Sequence, residues 1–192
     1  MKVSIIIPTL YKRTDGLLRL IKSIRELNYP KEEIETILVH GRNGLPKALW
    51  EGYQKSNGQY IIFAADDTEF TPDSVNIVIK DSIDNKKGLV AFDTGVLNEE
   101  GYSNEHFMIT KDLVEQIGEI FNTDFHHIAL DDYLWKKCLK LNEAMMSKAK
   151  LNHYHFSRNK DVPFDETYQM AWSKSDEDRA LLKQKLEVLN NE

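Results

Sequence analysis

The chain has 192 residues, 41% of them hydrophobic and 29% charged, with a formal net charge of -6 and a pI of about 5.6. That apolar content excludes a wholly disordered chain. The acidity excludes a surface coated for non-specific nucleic-acid binding, though it allows a local basic groove. One cysteine, Cys138, excludes an internal disulfide framework and a Cys-rich zinc site, so a reducing, cytoplasmic setting is the expectation.

At roughly 150 residues per domain the length predicts one domain spanning 1–192. The first apolar run stops at Pro8, too short for a signal-peptide core. No later stretch approaches ~20 uninterrupted apolar residues, so no integral membrane segment is expected.

Val3–Thr9 is a continuous, isoleucine-rich run, the pattern of a strand buried on both faces. Thr14 or Asp15 offers an N-cap for a helix carrying Leu17, Leu20, Ile21, Ile24 and Leu27, which Asn28-Tyr29-Pro30 stops. Ile34–His40 is a second strand, followed by a turn at Gly41-Arg42-Asn43-Gly44. Pro46 opens a helix with Leu49, Trp50 and Tyr53 on one face, and Asn57-Gly58 closes it. Tyr60–Ala65 is a third buried strand that runs straight into Asp66-Asp67. Thr71-Pro72-Asp73 opens a helix with Val75, Val78, Ile79 and Ile83 inward, ending near Lys87-Gly88. This alternation predicts an open α/β sheet, mostly parallel.

The second half is less regular. Leu89–Asp93 reads as a strand, Glu99–Asn104 as a turn and His106–Ile109 as a short strand. A helix is expected from Lys111 to Phe121, an irregular stretch over Thr123–Ala129, and a helix from Asp131 or Asp132 through Leu141. Ala149–His155 reads as a strand and Ser157–Thr167 as a polar loop. Ser175–Asn190 is a final helix with Leu181, Leu182, Leu186 and Leu189 as its apolar edge, suited to packing or a partner contact. Cys138 falls inside a helix as a small core residue. Lys136, Lys137, Lys140, Lys148 and Lys150 form either a basic acceptor surface or ordinary solvated positions.

In open α/β sheets, ligands bind beyond the carboxyl ends of the strands. Asp66-Asp67 stands at such an end. Two adjacent carboxylates repel unless a cation or hydrogen-bond donors offset them. Hard oxygen ligands suit Mg²⁺ or Mn²⁺, while the alternative is a solvated turn cap. His153 and His155 are two apart in a strand and so share a face, where they could serve a metal or a diphosphate. Arg158 and Lys160 follow them closely and could contact a diphosphate. Lys47, near a helix start, could face a diphosphate as a point charge. No G-x-x-x-x-G-K-[ST] or G-x-G-x-x-G occurs, which disfavours other phosphate-binding α/β enzymes.

Val3–Thr9, then Gly58-Gln59-Tyr60-Ile61-Ile62-Phe63-Ala64-Ala65-Asp66-Asp67, then Thr71-Pro72-Asp73, together resemble the family-two glycosyltransferases of the GT-A fold. The resemblance covers roughly the first eighty residues well and the rest loosely. It implies a Rossmann-like three-layer sandwich, with a nucleotide-sugar half over 1–93 and an acceptor half with the C-terminal helix over 94–192. It makes Asp67 the metal ligand and puts Asp66 near the ribose or cation. Ala65 stands where many members carry the first Asp of D-x-D.

The resemblance also sets Pro8, Thr9 and Tyr11 against the base and ribose. His40 falls where members usually have a base-reading acid. One of His153 and His155 returns to the cation. Asp131-Asp132, in Leu130-Asp131-Asp132-Tyr133-Leu134-Trp135, resembles the acidic pair that opens an acceptor-side helix, which implies Asp132 as general base and Asp131 as an orienting or acceptor-binding group. Acids in a first helical turn also stabilise the helix dipole.

The implied activity is inverting, divalent-metal-dependent transfer of one hexose or pentose from a nucleoside-diphosphate sugar. The acceptor is a glycan hydroxyl, or a hydroxymethylated DNA base of a phage. The alternative is a non-catalytic nucleotide-sugar- or glycan-binding protein of the same fold.

Overall fold

The computed structural model describes residues 1–98 and 101–191. The isoleucine-rich run forms β1 (Val3–Thr9), and α1 (Thr14–Arg25) follows it. β2 (Ile34–His40), α2 (Leu45–Lys55), β3 (Tyr60–Phe63), β4 (Thr68–Phe70), α3 (Ser74–Asn85) and β5 (Leu89–Asp93) complete the first half. The second half adds β6 (Phe107–Thr110), α4 (Lys111–Ile117), α5 (Leu130–Lys140), β7 (Ala144–His153), α6 (Glu166–Trp172) and α7 (Ser175–Asn191).

The strands make one seven-stranded sheet in the order β2-β1-β3-β6-β5-β7-β4. β1 pairs in parallel with β2 and β3, and β5 with β7, while β6 and β4 pair antiparallel with their neighbours. Five strands therefore run in one direction and two in the other, so the sheet is mixed but mostly parallel. Side chains of β1 alternate between two cores. Val3, Ile5 and Ile7 pack with Leu17, Leu20 and Ile24 of α1 and Val75, Val78 and Ile79 of α3. Ile6 packs with Ala48 and Leu49 of α2, Leu113 and Val114 of α4, and Leu134 and Trp135 of α5. The result is the expected helix–sheet–helix sandwich, and both cores abut the strands that end at the site. Cys138 lies fully buried in the second core, and burial pushes its thiol up to about 12.

Several boundaries depart from expectation for local reasons. Arg13, rather than Thr14 or Asp15, occupies the N-cap of α1, and no side chain caps that end. β3 stops at Phe63, so the acidic pair follows a short connection. α4 ends at Ile117, short of Phe121, because Gly118 adopts φ 76° and closes the helix. α5 begins at Leu130 behind Ala129 at φ 62°. Ile83 is 49% exposed rather than inward. β7 starts at Ala144 and ends at His153; it pairs with β5, with a register shift between Ala91 and Asp93, and its end pairs with β4. β4 and α6 were not anticipated. Of the turn expected over Glu99–Asn104, residues 99 and 100 lie outside the described residues. On either side, Gly101 donates its N–H to the Asn98 carbonyl at 3.0 Å.

Candidate active site

The site forms where strand ends converge. Parallel register sets Thr9 of β1 beside His40 of β2, and Ile6 beside Phe63 of β3. The chain leaving β3 therefore passes the end of β1, and the Thr9 hydroxyl donates to Asp66 Oδ2 at 2.6 Å. A turn closed by Thr68 N–H and the Ala65 carbonyl, 3.1 Å apart, then sends the chain into β4. β4 pairs antiparallel with β7, setting Thr68 opposite His153. That register brings His153 Nε2 to 3.4 Å from Asp67 Oδ1. Because β6 runs antiparallel to β3, the residues entering it, Glu105 and His106, arrive at the same edge.

Arg13 sits at the centre. Its guanidinium donates to Asp67 Oδ2 at 2.9 Å and binds both oxygens of Asp165 at 2.8 and 2.9 Å. It also stacks 3.7 Å from the Tyr168 ring, and the Tyr168 hydroxyl donates to Asp67 Oδ2 at 2.9 Å. Asp165 caps α6 by accepting from Tyr168 N–H. One guanidinium thus ties the first loop, the acidic strand end and α6 together. Gly16 permits this approach: a Cβ there would lie 2.5 Å from the Asp66 carbonyl oxygen.

The electrostatics separate the two acids. Burial raises Asp66 to about 6, against the pull of Thr9 and Arg13. Burial would raise Asp67 too, but His153, with Nε2 3.4 Å from Oδ1, and the charge of Arg13 hold it well below the usual carboxylate range. For His153, burial opposes the charged form and the two carboxylates Asp67 and Glu105 outweigh it, so its affinity for a proton rises. Burial, with His153 adding to it, pushes His106 down to about 3 and His155 down to about 4.

The second pair stands across the cleft. Asp131 and Asp132 lie in the first turn of α5, and Asn104 Nδ2 donates to Asp132 Oδ1 at 3.0 Å. Burial, then the charges of Asp132 and Glu105, push Asp131 upward. The loop before α5 is fixed from α7. The buried Asp178 carboxylate accepts backbone N–H groups of His126, His127 and Ile128 at 2.9, 2.9 and 2.8 Å. The final helix thereby supports the site.

These groups line a cleft of about 940 Å³ that includes Pro8, Thr9, Lys47, Asp66, Asp67, Asp131, Asp132, His153 and His155. Tyr11 and His40 are exposed outside that lining, with rings 5.8 Å apart. Arg158 lies on the far side of His153, where its guanidinium pairs with Glu105. In the lysine group, Lys137 pairs with Glu119, Lys150 with Asp93, and Lys140 donates to the Leu189 carbonyl. Sequence reasoning gave no role to Arg13, Glu105, His106, Asp165 or Tyr168. Arg13 meets Asp67 and Asp165 across 54 and 152 residues, Glu105 meets His153 and Arg158 across 48 and 53, and Tyr168 meets Asp67 across 101, so only the tertiary fold brings them together.

A divalent cation fits this chemistry. Asp67 Oδ1 and both ring nitrogens of His106 are buried with no hydrogen-bond partner among the described residues, a costly state that a bound cation would relieve. Glu105, His106 and His153 offer ligand atoms within 4.8 Å of one another. Such a mixed carboxylate–imidazole set suits a divalent cation.

Comparison with known proteins agrees with this geometry. The model of glycosyl transferase family 2 matches residues 35–138, more than half of the chain. No curated protein sequence matches significantly. Among solved structures, a mannosyltransferase from Pyrobaculum calidifontis in complex with GDP-Man and Mn²⁺ superposes with a TM-score of 0.67 at 17% identity. The match covers 79% of this chain and 56% of that one. TarS of S. aureus in complex with UDP gives 0.62 at 15% identity, over 77% of this chain and 57% of that one. TarS with UDP-GlcNAc gives 0.63 at 13% identity, covering 88% and 64%. This chain therefore spans little more than half the length of these neighbours, and at such identities the likeness is one of fold. Among the described residues no helix is long and apolar enough to cross a membrane. The family match and the shared architecture agree: the chain belongs to glycosyl transferase family 2 and has the GT-A fold.

Proposed function

We propose that this chain transfers one sugar, with inversion, from a nucleoside-diphosphate donor to an acceptor hydroxyl, using 1–93 for the donor and 94–192 for the acceptor. The observation that carries the reading is the convergence of Asp66–Asp67 and Asp131–Asp132 on one cleft of about 940 Å³. Pro8, Thr9 and Lys47 line the donor side, with Tyr11 and His40 at its rim for the base. Asp67, with His153 or His155, would hold Mn²⁺ or Mg²⁺, which supplies positive charge beside the departing diphosphate. Arg158 acts on this reading through Glu105 and His153, since its guanidinium is already paired there.

Asp132 serves as the base. Asn104 orients its carboxylate, and the neighbouring Asp131 keeps a proton above the usual range. As the acceptor oxygen attacks the anomeric carbon, its proton passes to Asp132. The bond to the diphosphate breaks on the opposite face, and the electron pair leaves with the diphosphate. Neighbours with GDP-Man and UDP-GlcNAc support a nucleoside-diphosphate sugar as donor. Met170 and Trp172 of α6, 52% and 39% exposed at the cleft, suit the apolar face of a glycan acceptor. A hydroxymethylated DNA base remains the second acceptor to test.

The test is a panel of nucleoside-diphosphate sugars with Mn²⁺, read as release of free nucleoside diphosphate with and without glycan or hydroxymethylated-DNA acceptors. Release with at least one donor is expected. Donor binding with no release from any member contradicts catalysis and supports a sugar-nucleotide-binding protein instead.

A further inference from the structure

His153 stands between two carboxylates. Its Nε2 is 3.4 Å from Asp67 Oδ1, and its Nδ1 is 3.2 Å from Glu105 Oε2. A neutral imidazole carries one proton, and a nitrogen that binds a cation must be bare. Two neutral tautomers are therefore in competition. In one, Nε2–H points at Asp67 and closes the cation site, while Nδ1 accepts from Arg158 Nη1, 3.0 Å away. In the other, Nδ1–H points at Glu105 and leaves Nε2 bare beside the unpartnered Asp67 Oδ1.

Glu105 favours the second. Its carboxylate only accepts, and Arg158 Nη2 grips both of its oxygens, at 2.5 and 2.6 Å. Arg158 Nη1 has the Thr94 hydroxyl at 3.3 Å as an alternative acceptor, so it can release Nδ1. The ring itself is held by packing: His106 meets it edge-on at 4.6 Å and His155 lies at 5.3 Å.

We propose that Glu105 is a positioning residue that accepts the Nδ1 proton of His153, leaving Nε2 open to a divalent cation shared with Asp67, with Arg158 locking Glu105 in place. The inference rests on the reading that Asp67 and His153 hold that cation. It assigns Arg158 to the support of the cation site, one step removed from the diphosphate. Carboxylate partners behind a ligating histidine typically change metal affinity by about 10–100-fold when removed.

The test compares wild type, Glu105→Ala and Glu105→Gln by Mn²⁺ titration, with free Mn²⁺ read by electron paramagnetic resonance and the thermal midpoint recorded alongside. Long-range ¹⁵N spectra of the metal-free proteins, taken where the imidazoles are neutral, report the His153 tautomer. Wild type should show His153 protonated at Nδ1. Glu105→Ala should shift it to Nε2 and weaken Mn²⁺ binding by about 10–100-fold, while Glu105→Gln, which retains an acceptor oxygen, should lose much less. Wild-type His153 protonated at Nε2 overturns the inference, whether or not Glu105→Ala folds. So does equal Mn²⁺ affinity in wild type and Glu105→Ala, which leaves the cation reading standing. Wild type that binds no Mn²⁺ overturns the cation reading and this inference together.

Discussion

Single residues at this site are constrained by backbone as much as by charge. Gly16 lies in the first turn of α1, where alanine would ordinarily improve helix propensity by about 1 kcal/mol. Here the added Cβ would meet the Asp66 carbonyl oxygen at 2.5 Å, and backbone cannot rotate away as a side chain can. Such overpacking costs about 1–3 kcal/mol, so Gly16→Ala should lower the thermal midpoint by roughly 2–12 °C. Calorimetry checks this, and an unchanged or higher midpoint would show that α1 does not press on the acidic turn. Asp66 and Asp67 were visible in the sequence because a buried strand ran into them. Arg13 was not, because its meaning depends on Asp165, 152 residues away. Glu105 was hidden likewise: it precedes a short strand, and its partner His153 lies 48 residues on.

Among the elements, the β1–β2 pair carries a pH-sensitive tie. Glu35 accepts from the Ser4 hydroxyl and from the backbone and side chain of Asn57, with Lys2 at 3.7 Å. Burial would raise this carboxyl, but those donors hold it down at about 2. Its folded-state pKa lies below its unfolded value, so it stabilises the fold above pH 4.5 and loses that contribution as pH falls toward 2. Glu35→Gln should therefore destabilise by about 1–2 kcal/mol at pH 7, after allowance for partial exposure, and by much less at pH 3. Urea unfolding at the two pH values measures the difference; an equal cost at both would remove the charge from the explanation.

The first-half strands and helices were legible because hydrophobic period and turn residues agreed there. β4 and α6 were not, being 3 and 7 residues long, too short for a periodicity to emerge. Their formation depends on tertiary partners: β7 for β4, and Arg13 and Asp67 for α6.

Across the whole molecule, the two halves do complementary work on one cleft. The parallel strands β1 and β3 deliver Thr9 and the Asp66–Asp67 pair. The second-half strands β6 and β7 bring Glu105, His106 and His153. α7, through Asp178, fixes the loop that presents Asp131–Asp132, while Tyr168 of α6 donates to Asp67. The net charge of -6 is thus a poor guide to the site, where Arg13, Arg158 and His153 stand against the carboxylates and a cation would add to them. The acidic pairs were readable one at a time; that they share a cleft was not, because 64 residues separate Asp67 from Asp131. That Asp132 takes the acceptor's proton is read from the turnover of Asp132→Asn on a donor the wild type uses, with donor affinity measured in parallel. Turnover should fall about 10²–10⁴-fold with donor affinity nearly unchanged; turnover equal to wild type would show that Asp132 is not the base.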